Sequence, residues 1–455
     1  MKRTRSIYLI VIIVLLLLIP IIWIGTTIFE GERPQIKVYP TPEYLSQTQQ
    51  INIEIRDKKR GIRRLRVFLK KDTREIEILN KVYAFKGFLN RDGVHEAKEK
   101  IILDPHQLSV PQGRLDLYVN VWDYSRRRGG DGNLKVFHHR MILDTIPPHI
   151  RSITRLHNIR EGGSCLIIYE GSKDIEKSGV YVNDLFFPGY YLDPEDGTFM
   201  CIFALPRYLL PKGRPKIYLY AKDKAGNETK RGFYYHILRG RFYRRKINIT
   251  DEFLDKVLPY FSFISFKEQD TPIERFLKIN REVRKENHQT IHSICKKTTE
   301  AILWEGPWLR QPNSATMARF GDHRLYFYKG KKIDEQVHLG VDLASIANSP
   351  VLAANTGKVI YTGRLGIYGE TVIIDHGMGI FSFYGHLNSI SVNKDDMVKK
   401  GDIIGQSDST GLAGGDHLHF SMLVNGFFVN PIEWWDPHWI KDNIVRKMAL
   451  LKEEK

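Results

Sequence analysis

His417-Leu-His-Phe420 places two imidazoles at i and i+2 of a strand-like run, so both rings leave one face of that strand. Working outward, the nearest partners are His338-Leu-Gly-Val-Asp342 and Phe383-Tyr-Gly-His386-Leu387. Gly340 and Val341 disfavour a helix at the first of these, so His338 and Asp342 are expected to converge from a loop and the strand it enters. Two imidazoles and one carboxylate form a compact donor set for Zn²⁺ that leaves the fourth tetrahedral position open, as hydrolytic zinc sites require. Two further histidines then remain beside the ligands. They are suited to accepting a proton from water or donating hydrogen bonds to an oxyanion near pH 7.

The surrounding sequence, from about Arg319 to Trp435, resembles the catalytic domain of the lysostaphin/LytM-type peptidoglycan metalloendopeptidases. The matching pieces include Phe320-Gly-Asp-His-Arg-Leu-Tyr326, His338-Leu-Gly-Val-Asp342, Gly369-Glu-Thr-Val-Ile-Ile-Asp-His-Gly377, Tyr384-Gly-His-Leu387, Gly401-Asp-Ile-Ile-Gly405 and His417-Leu-His-Phe420. The resemblance implies a compact antiparallel β domain with a groove over zinc. Carried over by position, it implies His338, Asp342 and His419 as zinc ligands and His386 and His417 as the two catalytic histidines. Gly415-Asp416 stands where the family more often has Gly-Pro, a departure that removes no ligand. His376 is shared with the family but carries no chemistry there, and Phe383, Tyr384 and Asn388 are candidate groove lining by their nearness in sequence.

The chain has 455 residues, enough for roughly three domains at about 150 residues each, and 42% of them are apolar, which rules out a disordered chain. The formal charge is +17. Between Gln336 and Asp436 five Lys/Arg face ten Asp/Glu, a net of −5, so the rest of the chain holds +22. The basic excess thus lies away from the histidine motifs.

Ile7–Phe29 is an uncharged run of 23 residues, long enough to cross a bilayer at about 1.5 Å per residue. Lys2, Arg3 and Arg5 precede it while Glu30 and Glu32 follow, so the positive-inside bias keeps residues 1–6 in the cytoplasm and exports the remainder. The alternative, a cleaved signal peptide, also exports the remainder. Export argues against nucleic acid as the partner of the basic clusters, and favours a solvated face or one leaning on anionic lipid or wall polymer.

From about residue 33 to 239, short alternating runs broken by Gly, Pro, Asn and Asp read as strands and hairpins. The stretch repeats internally. Val110-Pro-Gln-Gly-Arg-Leu-Asp-Leu-Tyr-Val-Asn-Val-Trp-Asp123 matches Leu210-Pro-Lys-Gly-Arg-Pro-Lys-Ile-Tyr-Leu-Tyr-Ala-Lys-Asp223 at an offset of 100 residues. Two such copies suggest paired β-sandwiches, and they resemble tandem bacterial immunoglobulin-like domains joined at Asp144-Thr-Ile-Pro-Pro148. After Gly240 the period turns helical. Thr250 is an N-cap candidate, Thr271-Pro-Ile-Glu274 combines a capping box with Pro at the first helical position, and a long helix is expected from about 272 to 304.

The expected organisation is a mainly β chain. It has a cytoplasmic N-terminus (1–6), a transmembrane signal anchor (7–29), β-sandwiches at 30–148 and 149–239, a helical connector (240–310), a zinc metalloendopeptidase domain (311–437) and a C-terminal tail (438–455). Cys165, Cys201 and Cys295 are too few for a disulfide framework; Cys165 and Cys201 are either bridged or, with Cys295, buried thiols. His288, His292 and Cys295 share a helix face without a fourth ligand nearby, His95-Glu96 lacks the second His that a zinc-protease helix needs, and His138 and His139 point to opposite faces of a strand. None of these is expected to bind metal.

The resemblance implies a Zn²⁺ endopeptidase hydrolysing peptide bonds in peptidoglycan cross-links, and the N-terminal apolar run adds an anchor in the bacterial inner membrane with the catalytic domain outside; the expected partners are peptidoglycan stem peptides and the membrane, with no nucleic acid and any protein regulator left open. The alternative is a non-catalytic cell-wall-binding scaffold or an activator of another wall hydrolase.

Overall fold

The computed structural model describes residues 2–206, 208–209 and 213–453. Part of the second repeat copy, Leu210–Lys212, lies outside the described residues. The chain divides into two compact units, Met1–Pro147 with Lys224–Asn227, and Pro148–Asp223 with Glu228–Lys455, so the main break falls within the Pro-Pro pair.

The first unit opens with an α-helix, Lys2–Ile28. Its segment Ile7–Ile28 has a mean hydropathy of 3.3, is unburied by protein, and is long and apolar enough to cross a membrane. A β-sandwich follows. Three antiparallel strands, Gln35–Tyr39, Gln49–Arg56 and Glu96–Leu103, form one sheet. A five-stranded sheet runs in the order Tyr44–Leu45, Leu134–Leu143, Gly113–Asp123, Ile62–Lys71, Arg74–Val82. Period-2 patterning builds the core between them: Leu115, Leu117, Val119 and Val121 are buried while the residues between them are not, and they meet Ile51, Ile53 and Ile55 from the other sheet.

In the second unit, two four-stranded sheets make the second sandwich. One has Ser164–Gly171 and Thr198–Ala204 at its centre and the other has Ile175–Val182 and Ile217–Asp223. Ser164–Tyr169 is buried without alternation, because the back of that sheet is covered too: the Lys447 ammonium, on the C-terminal helix, donates to the Leu166 carbonyl. Cys165, Cys201 and Cys295 are free buried thiols, so the bridge is not formed.

The segment after Gly240 begins with a strand rather than a helix. Arg244–Ile249 pairs in parallel with His323–Tyr328, which forms a hairpin with Lys331–Val337. The helix Asp251–Val257 follows, with the Thr250 hydroxyl accepting from the Phe253 amide as N-cap. The capping box at Thr271 and Glu274 forms as expected. The helical run it starts includes a π turn at Ile279–Val283 and ends at Ile294, not at 304. Packing explains the early stop. The Asp375 carboxylate accepts from the Thr298 hydroxyl (2.7 Å) and from the Thr299 amide and hydroxyl (2.7 and 2.9 Å), which pulls this β-branched pair out of helical geometry and onto the sheet.

The last domain is built on an antiparallel sheet. Its strands run in the order Ala315–Ala318, Val341–Ala344, Leu418–Val424, Ile380–Ile390, Glu370–Gly377, Gly357–Arg364 and Met397–Val398. Val372, Ile374, Phe381, Phe383 and Met422 belong to its core. Beyond it the chain is helical again through Glu453, starting from Pro431–Trp435, which Asn430 caps.

Candidate metal centre

Sheet register brings the motif residues abreast. Asp342 pairs with His419 across one strand interface, and His419 pairs with Gly385 across the next, so three neighbouring strands deliver Asp342, His419 and His386 to one place. His338 arrives from the turn after Lys331–Val337, held by its amide donating to the Asp322 carbonyl. Gly340 between them is required by space: a Cβ there would lie 2.5 Å from His419 Nε2 and 2.6 Å from Ser421 Oγ.

Among the described residues, the ligand atoms of His338, Asp342 and His419 lie within 4.8 Å of one another. Asp342 Oδ1 is 2.9 Å from His338 Nε2 and 2.9 Å from His419 Nδ1, and the two nitrogens are 3.1 Å apart. The far side of each ring fixes its tautomer. His338 Nδ1 faces the Arg319 carbonyl at 3.0 Å, so that nitrogen carries the hydrogen. Ser421 donates to the Leu339 carbonyl (2.9 Å), so its oxygen accepts from His419 Nε2–H at 3.1 Å. Both neutral rings therefore turn a bare lone pair toward a carboxylate oxygen. Three acceptors converging without a proton among them is the signature of a cation site. Their separations approach the edge of about 3.3 Å expected for ligands roughly 2.0 Å from a tetrahedral zinc.

Electrostatics agree with this donor set. Burial lowers the His338 pKa despite the Asp342 charge, and it lowers His419 to about 4. The other Asp342 oxygen is taken by Arg324, whose Nη2 lies 2.7 Å from Oδ2. Arg324 and Ser421 carry no signal in isolation, because neither residue type nor spacing says what it will touch. They are visible only once the strands are paired.

His386 and His417 stand beside this cluster, ring centroids 4.8 Å apart. His386 sits in the left-handed region at φ +62°, next to a register shift in its strand, and local strain of this kind is stored where a side chain must be aimed. Its Nδ1 faces the Thr410 carbonyl at 2.7 Å, and His417 Nδ1 faces the Gly415 carbonyl at 2.8 Å. Both rings thus keep Nε2 free of the backbone, and that of His417 is 3.6 Å from Asp342 Oδ1. Burial, reinforced by His417 and His419, pushes His386 well below the ordinary imidazole value. Burial also acts to lower His417, but the Asp342 carboxylate prevails and raises it.

The remaining sequence candidates separate cleanly. Phe383 and Tyr384 are fully buried, so they are core and not groove lining; Tyr384 Oη accepts from the Ala354 amide at 2.7 Å, and Phe383 packs against Tyr368. Asn388 is exposed and donates to Asn348. His376 is a satisfied core residue, held between the Thr356 carbonyl and Ser382. Asp416, at the departure from Gly-Pro, accepts from the Asn348 amide at 2.8 Å. His95 is spent on the Asp57 and Asn90 carbonyls, and His138 and His139 go to Asp116 and the Pro42 carbonyl.

An antiparallel β domain that gathers two histidines and an aspartate, with two further histidines alongside, has the donor set that a metal-dependent hydrolytic centre needs. Residues 336–431 match the model of Peptidase family M23, and the chain carries an M23 peptidase domain. The DD-carboxypeptidase/endopeptidase Mpg of Neisseria meningitidis is 38% identical over 97 residues, 21% of this chain and 22% of that protein. The peptidoglycan DD-endopeptidase ShyA of Vibrio cholerae is 36% identical over 96 residues, again 21% and 22%. The solved catalytic domain of lysostaphin from Staphylococcus simulans covers 27% of this chain and 92% of that domain, with 29% identity and a TM-score of 0.24. The chain thus matches about a fifth of the length of these curated relatives.

Proposed function

We propose that the chain is a membrane-anchored zinc endopeptidase that hydrolyses peptide bonds in peptidoglycan cross-links, with His338, Asp342 and His419 holding the metal and His386 and His417 catalytic. The observation that carries the reading is the convergence of three unprotonated donor atoms about 3 Å apart, with two further imidazoles at their edge. Zinc held there supplies Lewis acidity, which polarises a carbonyl and acidifies water. The protein supplies the rest. Arg319, Ser421 and Arg324 fix the orientation of the three donors. His386 and His417, each anchored through Nδ1 to a backbone carbonyl, present Nε2 to the site, one to take the proton of the attacking water and one to donate to the developing oxyanion.

The N-terminal apolar helix supports an anchor, and the Lys2, Arg3 and Arg5 flank supports an outward-facing catalytic domain. The names of the relatives support peptidoglycan as substrate. The test is to strip metal with a chelator and add back zinc in the presence of a cross-linked muropeptide dimer. Cleavage that disappears and returns with zinc is expected. Cleavage indifferent to the chelator, or absent from zinc-loaded protein, contradicts the reading.

A further inference from the structure

The helical face that failed as a metal site has another use. Arg284, Lys285, His288 and His292 lie along one side of the helix Arg284–Ile294, at spacings of one, four and eight residues, and all four line a cavity of about 490 Å³. Phe427 and Phe428 form an apolar wall: Phe427 packs on the His292 ring (4.9 Å between centroids) and Phe428 on the His288 ring (5.5 Å). Although the chain has 52 acidic residues, no carboxylate among the described residues lines this cavity. Arg284 spends its fork on the carbonyl and side-chain oxygen of Asn280, and among the described residues neither it nor Lys285 has an ion-pair partner. His292 Nδ1 is buried there without a hydrogen-bond partner. Arg281, which also lines the cavity, is neutralised by Asp334 (3.1 Å), but Arg284 and Lys285, a buried unpaired ring nitrogen and an aromatic wall describe a recess complementary to an anion carried on an apolar body.

We propose that this cavity is an anion-binding site, distinct from the metal centre, for a carboxylate or phosphate attached to a small apolar group. It lies behind the metal centre. His288 Nε2 is 3.1 Å from the Tyr368 hydroxyl, and the Tyr368 ring packs on His419 with centroids 5.2 Å apart. An occupant therefore touches a residue only one ring removed from a proposed zinc ligand.

The experiment is calorimetric titration of the full-length protein in detergent with two probes, inorganic phosphate and N-acetyl-D-alanine. Saturable binding of at least one probe is expected, at a Kd of about 1 mM or tighter. Stronger binding of N-acetyl-D-alanine points to peptide carboxylates as the source of the ligand, and stronger binding of phosphate to a phosphate. Lys285→Glu and Gln289→Glu, both at exposed positions on the rim, are each expected to weaken binding by about tenfold or more. Because a metal centre also attracts anions, the titration is repeated on His419→Ala, where binding should persist. Failure to bind either probe, affinity unmoved by both rim substitutions, or binding lost in His419→Ala overturns the proposal. None of these readouts depends on peptide hydrolysis, so the outcome stands apart from that of the endopeptidase reading.

Discussion

Ser421 illustrates how much of the centre depends on a residue that is not a ligand. Its hydroxyl orders the hydrogen on His419 Nε2, and so leaves Nδ1 bare for a cation. Ser421→Ala should weaken zinc binding by about 10- to 100-fold in competition with a chelator dye, with the fold intact by circular dichroism. An unchanged zinc affinity contradicts the tautomer argument. His386 makes the opposite case: its ring packs edge-on against His419 but it is outside the proposed ligand set, so His386→Ala should keep stoichiometric zinc while kcat/KM falls by about 10²- to 10⁴-fold. Loss of zinc with loss of activity would make it a ligand instead. The i, i+2 pair at His417 and His419 was legible because it obeys strand geometry, and the approach of His338 to Asp342 because Gly340 and Val341 disfavour a helix and leave a loop entering a strand. Burial of Phe383 and Tyr384 was not, because the two faces of a central strand look alike until both are covered.

At the scale of elements, the short helix Pro431–Trp435 is tied to the second sandwich by one carboxyl. Glu433 accepts from the Ser164 amide at 3.0 Å, and burial raises its pKa to about 7 despite that hydrogen bond. A carboxyl raised from 4.5 to about 7 binds more protons folded than unfolded, so its contribution is greatest below pH 4.5 and is lost as pH rises toward 7. Glu433→Gln keeps the acceptor and removes the charge. Denaturant unfolding should show the variant gaining on the wild type between pH 4.5 and 7, to at most about 3 kcal/mol at pH 7 and above. A pH-independent difference contradicts the buried-carboxyl account. His157, lowered to about 4 by burial, works in the opposite sense, losing its contribution as pH falls below 6.5; the variant difference cancels it. The caps at Thr250 and Thr271 could be read from sequence because a cap is a local device. The helix end at Ile294 could not, since Asp375, which draws Thr298 and Thr299 away, is some 75 residues downstream. The strand Arg244–Ile249 was hidden likewise by its partner at His323–Tyr328.

Across the whole molecule, two compact units carry separate apolar cores: one within the first β-sandwich and, in the second unit, one shared by the second sandwich, the connector and the catalytic domain, beside a smaller cluster of Ile249, Leu254, Phe276 and Tyr326. Leu117→Ala, deep in the first core, should cost about 2–5 kcal/mol and lower one calorimetric transition while leaving the other in place. A single transition that moves as a whole contradicts independent cores. The charge pattern belongs to this scale too, since a catalytic segment of net −5 sits in a chain of +17. The most direct measurement of the central claim is to incubate zinc-loaded full-length protein, in detergent, with isolated peptidoglycan sacculi and identify the released fragments by mass spectrometry, beside His386→Ala. The account predicts newly cut stem peptides from the wild type and none from the variant, although both retain zinc. Equal products from both, or none from zinc-loaded wild type, would contradict it.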